Sequence, residues 1–456
     1  MTRADRRIAV GLFVVTFVTF AFFFGGGGWN QNAQWDLTRA LVERHTLHID
    51  DFRSNTGDIS WSNSSGTWYA YANKPPGVSL LAAIPYALIY RWQLSNSISA
   101  YLVTILTCGV CGALIPVVIY AYARRRVNAT PLTSVCVALT IAFGTIVFPY
   151  STMLFAHVPA ALFLLLAFVW MDERPLLAGF AAGIASICFY ICIPAALILG
   201  VVRASSAPSE RRGRAAHHSM FFLLGGLPFA ILLGAYHYVC FGSPWRTSVA
   251  GSKNFTQEGL FLGVFKKPSL EALWGLTFSE YRGLFFVSPI LLLAFIGAIV
   301  MIRRRVMLRE LAAIGAIFVI FLIAIASFNG WEGGFAFGPR YLLPVIPLLA
   351  IPMLFAWRNV LLIVALLSIA IQFVATAVDP MPDGAIRHPL REHLVPAFAR
   401  GQIAMNEQSI DDLLPRKGRR GAFNLGELVL PRAVSWIPIA LWMISGSLLL
   451  IRRASL

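Results

Sequence analysis

The stretch Ile8–Asp36 reads IAVGLFVVTFVTFAFFFGGGGWNQNAQWD. An uncharged apolar run meets four glycines, Gly25–Gly28. The amides Asn30, Gln31 and Asn32, two tryptophans and one carboxylate follow. An apolar run of this kind is a membrane span, because a helix satisfies all of its own backbone polar groups. Arg3, Arg6 and Arg7 precede it, which puts the N-terminus on the cytoplasmic side. No small-residue cleavage site follows, so the segment reads as an uncleaved first span. The glycines let the chain turn tightly as it leaves the membrane.

The rest of the chain repeats this pattern. Of 456 residues, 58% are hydrophobic and only 13% charged. That is too little polar surface for a soluble domain. The apolar runs do not alternate, which excludes a β-barrel. The expected fold class is an all-α polytopic membrane protein with about 12 transmembrane helices. Both termini are cytoplasmic, and the first extracytoplasmic loop is large.

Basic clusters thread the spans. After the first (about 8–25) comes a polar loop, 26–76, and then a short Pro-broken segment, 77–91, suited to an interfacial or re-entrant helix. Span 2 (about 97–122) runs into Arg124–Arg126 and ends inside. Spans 3 (about 132–149) and 4 (about 155–171) go out and return to Asp172-Glu173-Arg174. Residues 175–203 are too long for one span and contain Pro194, so they read as two short helices, out and back. Arg203 and the run ERRGRAAHH (210–218) then fall inside. Later spans lie at about 219–239, 284–302, 311–327, 341–356, 359–378 and 433–451, with Arg303–Arg305, Arg358 and Arg452-Arg453 at cytoplasmic turns. The expected division is a membrane module, 1–378, an extracytoplasmic loop or small subdomain, 379–432, and a last span with a basic tail, 433–456.

The net charge of +16 follows from this arrangement and does not point to nucleic acid. Of the six cysteines, Cys108 and Cys111 have the spacing of a metal or redox pair. They lack a second pair and a nearby His, so they read as buried hydrophobes.

The spans hold almost no ionisable residues, whereas ion-coupled carriers place them at mid-membrane. Polar chemistry gathers in three extracytoplasmic segments, which favours an enzyme at the outer interface. In the first, Asp36, Arg39 and Glu43 share one helix side, either as a surface ion-pair ladder or as a carboxylate aimed into a cleft. His45, His48, Asp50, Asp51 and Asp58 read mostly as solvated polars without metal-ligand spacing. Lys74 precedes the rigid bend Pro75-Pro76-Gly77, as an interfacial anchor or as a charge for a lipid phosphate. The second segment brings Arg282 to a span mouth. The third carries Glu332, Gly333, Gly334, Gly338 and Arg340. Arg offers a bidentate fork to phosphate. His157 stands at the outer mouth of span 4.

The segments LTRALVER, NKPPGVSLL, FGSP, YRGLFFVSP and GPRYLLPVIP make the chain resemble the GT-C class of integral-membrane glycosyltransferases over essentially its whole length. That broad group includes protein O-mannosyltransferase-like and aminoarabinose-transferase-like enzymes. The resemblance implies a polyprenyl-phosphate-linked sugar donor and a lipid, glycan or protein acceptor outside the cytoplasmic (inner) membrane. It also implies an acidic base in the first loop. Many members carry an Asp-Glu pair directly after span 1, where this chain has Trp29-Asn30-Gln31-Asn32. Amides cannot accept a proton at neutral pH. The base role is therefore expected of Asp36, with Asp58 and Glu332 as fallbacks. Lys74 and Arg340, with Arg282, are expected to hold the donor phosphate, and Asn30, Asn32 and His157 to position substrate. No cofactor is expected, and a divalent cation stays open. The rival readings are a lipid-linked saccharide flippase or transporter, and a GT-C-like glycan polymerase or ligase.

Overall fold

The computed structural model describes residues 2–204, 212–252, 254, 260–356, 362–414, 416 and 420–455. Glu210, Arg211 and Arg358, expected at cytoplasmic turns, lie outside the described residues, as do the side chains of Arg203, Arg212 and Arg214.

Helices dominate. In Arg3–Phe22, Ile8, Leu12, Val15 and Phe20 are buried while Val10, Val14 and Val18 are exposed. One stripe packs inward, and an equally apolar stripe faces outward. An outward apolar stripe suits lipid rather than water. Thr2 and Asp5 cap this helix reciprocally, and Asp5 also receives Tyr120 Oη (2.8 Å) and Arg124 Nε (2.9 Å). Arg126 bonds Asp172 (3.3 Å), which Arg309 also reaches. These ion pairs tie four segments together at one end of the molecule. The last helix, Ile437–Ser455, runs antiparallel to the first. Trp442 Nε1 donates to the Val15 carbonyl (3.2 Å), and Leu450 packs on Gly11. Both termini therefore sit at that same end.

Residues 175–204 form two helices, Pro175–Cys188 and Cys192–Ala204. Leu176 and Gly183 lie level with Gly225 and Phe229 of the helix Arg212–Phe241, and Tyr190 reaches His237. Gly200 is back level with Phe222. The chain thus climbs to Tyr190 and returns, as Pro194 and the run's length lead one to expect.

Among the described residues, four helices are long and apolar enough to cross a membrane by themselves. They are Asn96–Val127, His218–Phe241, Leu308–Ser327 and Arg432–Ser455. Other apolar runs are broken. The run at 132–149 stops at Phe143 and resumes at Val147–Tyr150, and the run at 284–302 is interrupted at Ser288-Pro289. Proline and glycine end helices, while hydropathy ignores them.

At the opposite end the four glycines meet a distant segment. Phe23–Phe24 pairs antiparallel with Phe423–Asn424. The Gly25 carbonyl accepts from Asn406 Nδ2 (2.7 Å), and Gly27 N donates to the Gln408 carbonyl (2.8 Å). A Cβ on Gly27 would come within 2.3 Å of the Ser409 carbonyl oxygen. Only glycine lets the 406–410 strap lie this close.

Candidate active site

Two cavities adjoin at this end, one of them reached by Gln408 of the strap. One, of about 230 Å³, is largely apolar and includes Lys74, His157, Phe189, Phe265 and Phe328 in its wall. The other, of about 280 Å³, is lined by Asp58, Glu332, Arg340, Gln408, Trp29 and Phe335, among others. Asn30 and Tyr341 belong to both walls.

A small hairpin builds their junction. Ile59–Ser62 pairs with Tyr69–Ala72, with Ile59 opposite Ala72. That register puts Asp58 beside Asn73 and Lys74. Lys74 Nζ lies 2.9 Å from Asp58 Oδ2, and Asn73 Nδ2 lies 3.2 Å from Asp58 Oδ1. Asn73 Nδ2 is also 2.9 Å from Ser252 Oγ. The expectation of a polar loop with one short helix over 26–76 did not include this hairpin. Its signal was present: ISWS and YAYA are β-prone runs separated by the turn-forming Asn63-Ser64-Ser65-Gly66.

Arg340 enters from the third segment. It is 7% exposed, and its guanidinium lies over the Phe155 ring (4.9 Å) and the Tyr341 ring (5.1 Å). Its Nε has no hydrogen-bond partner, and among the described residues no carboxylate comes within ion-pair distance of it. A buried cation left like this favours an anionic ligand.

Asp36 departs from its expected role. It is fully buried, away from both cavity walls. Oδ1 accepts from Asn55 Nδ2 (3.1 Å), and Oδ2 has no partner. Of the ion-pair ladder, the Asp36–Arg39 rung does not form among the described residues, while Arg39 binds Glu43 (2.7 Å) and stacks on Phe52. Burial pushes the Asp36 carboxyl well above the usual carboxylate range, against the opposing effects of Asn55 and Arg39. The folded chain therefore binds this proton more tightly than the unfolded chain. The stability it contributes is complete at low pH and is lost as pH rises from about 4 toward the raised value. Asp36→Asn is expected to raise thermal stability at pH 8, to change little at pH 4, and to keep transfer activity within about tenfold. A loss of activity on the scale of a missing base, with the fold intact, would restore Asp36 to the chemistry.

The amides divide. Asn30 faces both cavities, but Asn32 does not. Asn32 Nδ2 is spent on the Asn55 carbonyl (2.7 Å) and the Ser409 carbonyl (3.0 Å), so it holds the strap down rather than meeting a substrate. Asn55 Nδ2 likewise reaches the Ile410 carbonyl (2.7 Å), and Trp29 Nε1 the Leu413 carbonyl (2.8 Å).

Arg282 also departs from expectation. It is fully buried and absent from both cavity walls. Its guanidinium donates to the carbonyls of Glu332 (3.0 Å), Gly334 (2.6 Å) and Ala336. Gly333 (φ 76°) and Gly334 (φ 63°) take the left-handed turn that aims this loop inward. Arg282 is the rivet of the loop that presents Glu332 and Arg340. Arg282→Ala should cost about 3–5 kcal/mol, because buried carbonyls lose their donors, and Arg282→Lys should recover little. Thermal unfolding of the purified variants checks this.

The remaining acids of the first loop pair within it. Asp51 binds Arg44 (2.7 Å), and Asp50 binds His48 (3.0 Å) and Arg53 (3.8 Å).

The whole is a polytopic helical membrane fold with its polar chemistry under one capped end. No family model matches the chain, and no curated protein sequence does. Among solved structures, ArnT from Cupriavidus metallidurans bound to undecaprenyl phosphate matches 99% of this chain and 77% of its own, with TM-score 0.52 and 14% identity. The apo state of the same protein matches 99% and 76%, with TM-score 0.49 and 13% identity. The first likeness extends over nearly the whole chain and bears out the expected helical membrane fold. At this identity it speaks to the fold alone.

Proposed function

We propose that this protein is a membrane glycosyltransferase that moves a sugar from a polyprenyl-phosphate donor to an acceptor hydroxyl on the extracytoplasmic side, with inversion. The observation that carries the reading is the Asp58–Lys74 pair at the junction of an apolar cavity and one whose wall includes Asp58, Glu332 and Arg340. An apolar cavity suits an isoprenoid tail, and a cavity with a few charged side chains in its wall suits the reacting groups. The ArnT structure of this fold holds undecaprenyl phosphate, which supports the donor class.

The base role passes from Asp36 to Asp58, with Glu332 in the same wall as the alternative. Asp58 accepts the acceptor hydroxyl proton as the acceptor oxygen bonds to the anomeric carbon. The bond from that carbon to the donor phosphate breaks, and its electron pair leaves with the phosphate. Arg340 and Lys74 stabilise the charge that develops there. A donor phosphate also competes with Asp58 for the Lys74 ammonium, and so frees the carboxylate as the donor arrives.

Against the transporter reading stands the placement of charge. Among the described residues the buried charged side chains are Asp5, Asp36, Asp58, Arg282, Arg340 and Asp379. Asp5 belongs to the end that carries the termini, and the other five to the capped end. A translocation path needs polar groups at mid-depth. Proteoliposomes holding the chain and undecaprenyl-phosphate-linked sugars test the proposal. Sugar on an acceptor with matching release of undecaprenyl phosphate is expected. Movement of intact donor across the bilayer without that release would replace the enzyme with a flippase.

A further inference from the structure

His157 is a buried polar group that the mechanism above does not use. It opens the helix His157–Trp170, is 3% exposed, and lines the apolar cavity. Neither ring nitrogen has a hydrogen-bond partner. Four aromatic rings surround it: Phe189 (4.9 Å between centroids), Tyr341 (5.5 Å), Phe155 (5.7 Å) and Tyr150 (6.4 Å). A histidine kept only for packing at this site would be better replaced by another aromatic ring, since two unpaired buried nitrogens are costly.

The same rings locate the missing partner. Phe155 and Tyr341, which flank His157, are the two rings over which the Arg340 guanidinium lies. Arg340 carries its own unpaired nitrogen, Nε. Lys74 stands in the same cavity wall as His157. Unmet donors on two side chains, a second cation and an aromatic lining thus converge on the boundary of the two cavities. A neutral imidazole carries one N–H that it can donate.

We propose that His157 is the third arm of the anion site, with its N–H donating to an oxygen of the lipid phosphate that Arg340 and Lys74 hold. This deepens the proposed function and rests on it. A neutral donor adds a directed hydrogen bond without adding charge repulsion between the arms. It also fixes the phosphate against the aromatic wall and so aims the scissile bond toward Asp58. A phosphate ester on an isoprenoid tail and free phosphate share the recognised group. Only the first also fills the apolar cavity.

The test is binding of undecaprenyl phosphate to the full chain in nanodiscs, beside inorganic phosphate and undecaprenol. His157→Phe keeps the ring in its aromatic box and removes the donor. It should weaken undecaprenyl phosphate binding by about ten- to a hundredfold, with thermal stability equal or higher. His157→Gln, which retains an N–H donor, should stay within about fivefold of the parent. Undecaprenol binding should be the same in all three, and inorganic phosphate should bind far more weakly than the lipid. Unchanged lipid-phosphate affinity in His157→Phe would overturn the inference, as would an equal loss of undecaprenol binding. Arg340→Ala serves as the control for the underlying reading. If it loses undecaprenyl phosphate while His157→Phe does not, only the role of His157 falls. If neither loses it, the donor site itself is wrong.

Discussion

Asp58→Asn is expected to slow sugar transfer by about 10²–10⁴-fold, the usual worth of a positioned general base. Asparagine keeps the shape of the side chain and still offers an oxygen to Lys74 and Asn73, so the hairpin junction should hold. What it cannot do is take a proton. The carboxylate lies in the cavity wall that Glu332 and Arg340 share, with Lys74 Nζ 2.9 Å away, and it is 6% exposed. Substitution leaves Lys74 without its counter-ion, which should cost some stability. A single-turnover transfer assay and a thermal melt on the same preparation separate the two effects. Transfer within tenfold of the parent would remove Asp58 from the chemistry. Glu332→Gln in the same assay would then show whether the base is the other acid of that wall.

Arg340→Ala is expected to lower kcat/KM by about 10²–10³-fold, comparable to removing one preorganised donor from a developing anion. The argument rests on the side chain's surroundings. Its guanidinium is buried between Phe155 and Tyr341, and its Nε is unpaired. In such a site the loss falls on the ligand rather than on the fold. Removing a buried cation that has no carboxylate partner should leave thermal stability equal or slightly higher. Arg340→Lys should recover only part of the activity, because a point charge does not reproduce the bidentate fork. Full activity in Arg340→Ala, or a collapse of stability with no change in donor affinity, would show a structural arginine instead.

Much of the scaffold was legible because hydropathy and breaker residues are local signals. The first span, the division of 175–203 into two helices and the apolar helix Leu308–Ser327 all follow from local runs. Lys74 and Arg340 could be singled out because each marks a junction of loop and apolar run, and the structure places both in cavity walls. Arg282 carries the same local signal, at the mouth of its own apolar run, and turns into a rivet for backbone carbonyls. Nothing in the neighbouring letters distinguishes an arginine that faces a cavity from one that faces carbonyls. The difference lies in how the Gly330–Gly338 loop folds over it.

The choice between Asp36 and Asp58 shows the same division. Sequence reading favours Asp36, the first carboxylate after the amides of Gly25–Asp36. Asp36 instead packs behind Asn55, whose Nδ2 also bonds the Ile410 carbonyl of a strap that lies several hundred residues on in the chain. Asp58 reaches the cavity through the register of a hairpin, and Lys74 comes with it. The sequence by itself determined that this is a helical membrane protein whose polar groups gather outside the spans, because burial in lipid and helix breaking depend on short runs. Only the tertiary structure decided which acid faces a cavity, because that depends on long-range pairing with residues 406–413 and on the strand register of the first loop.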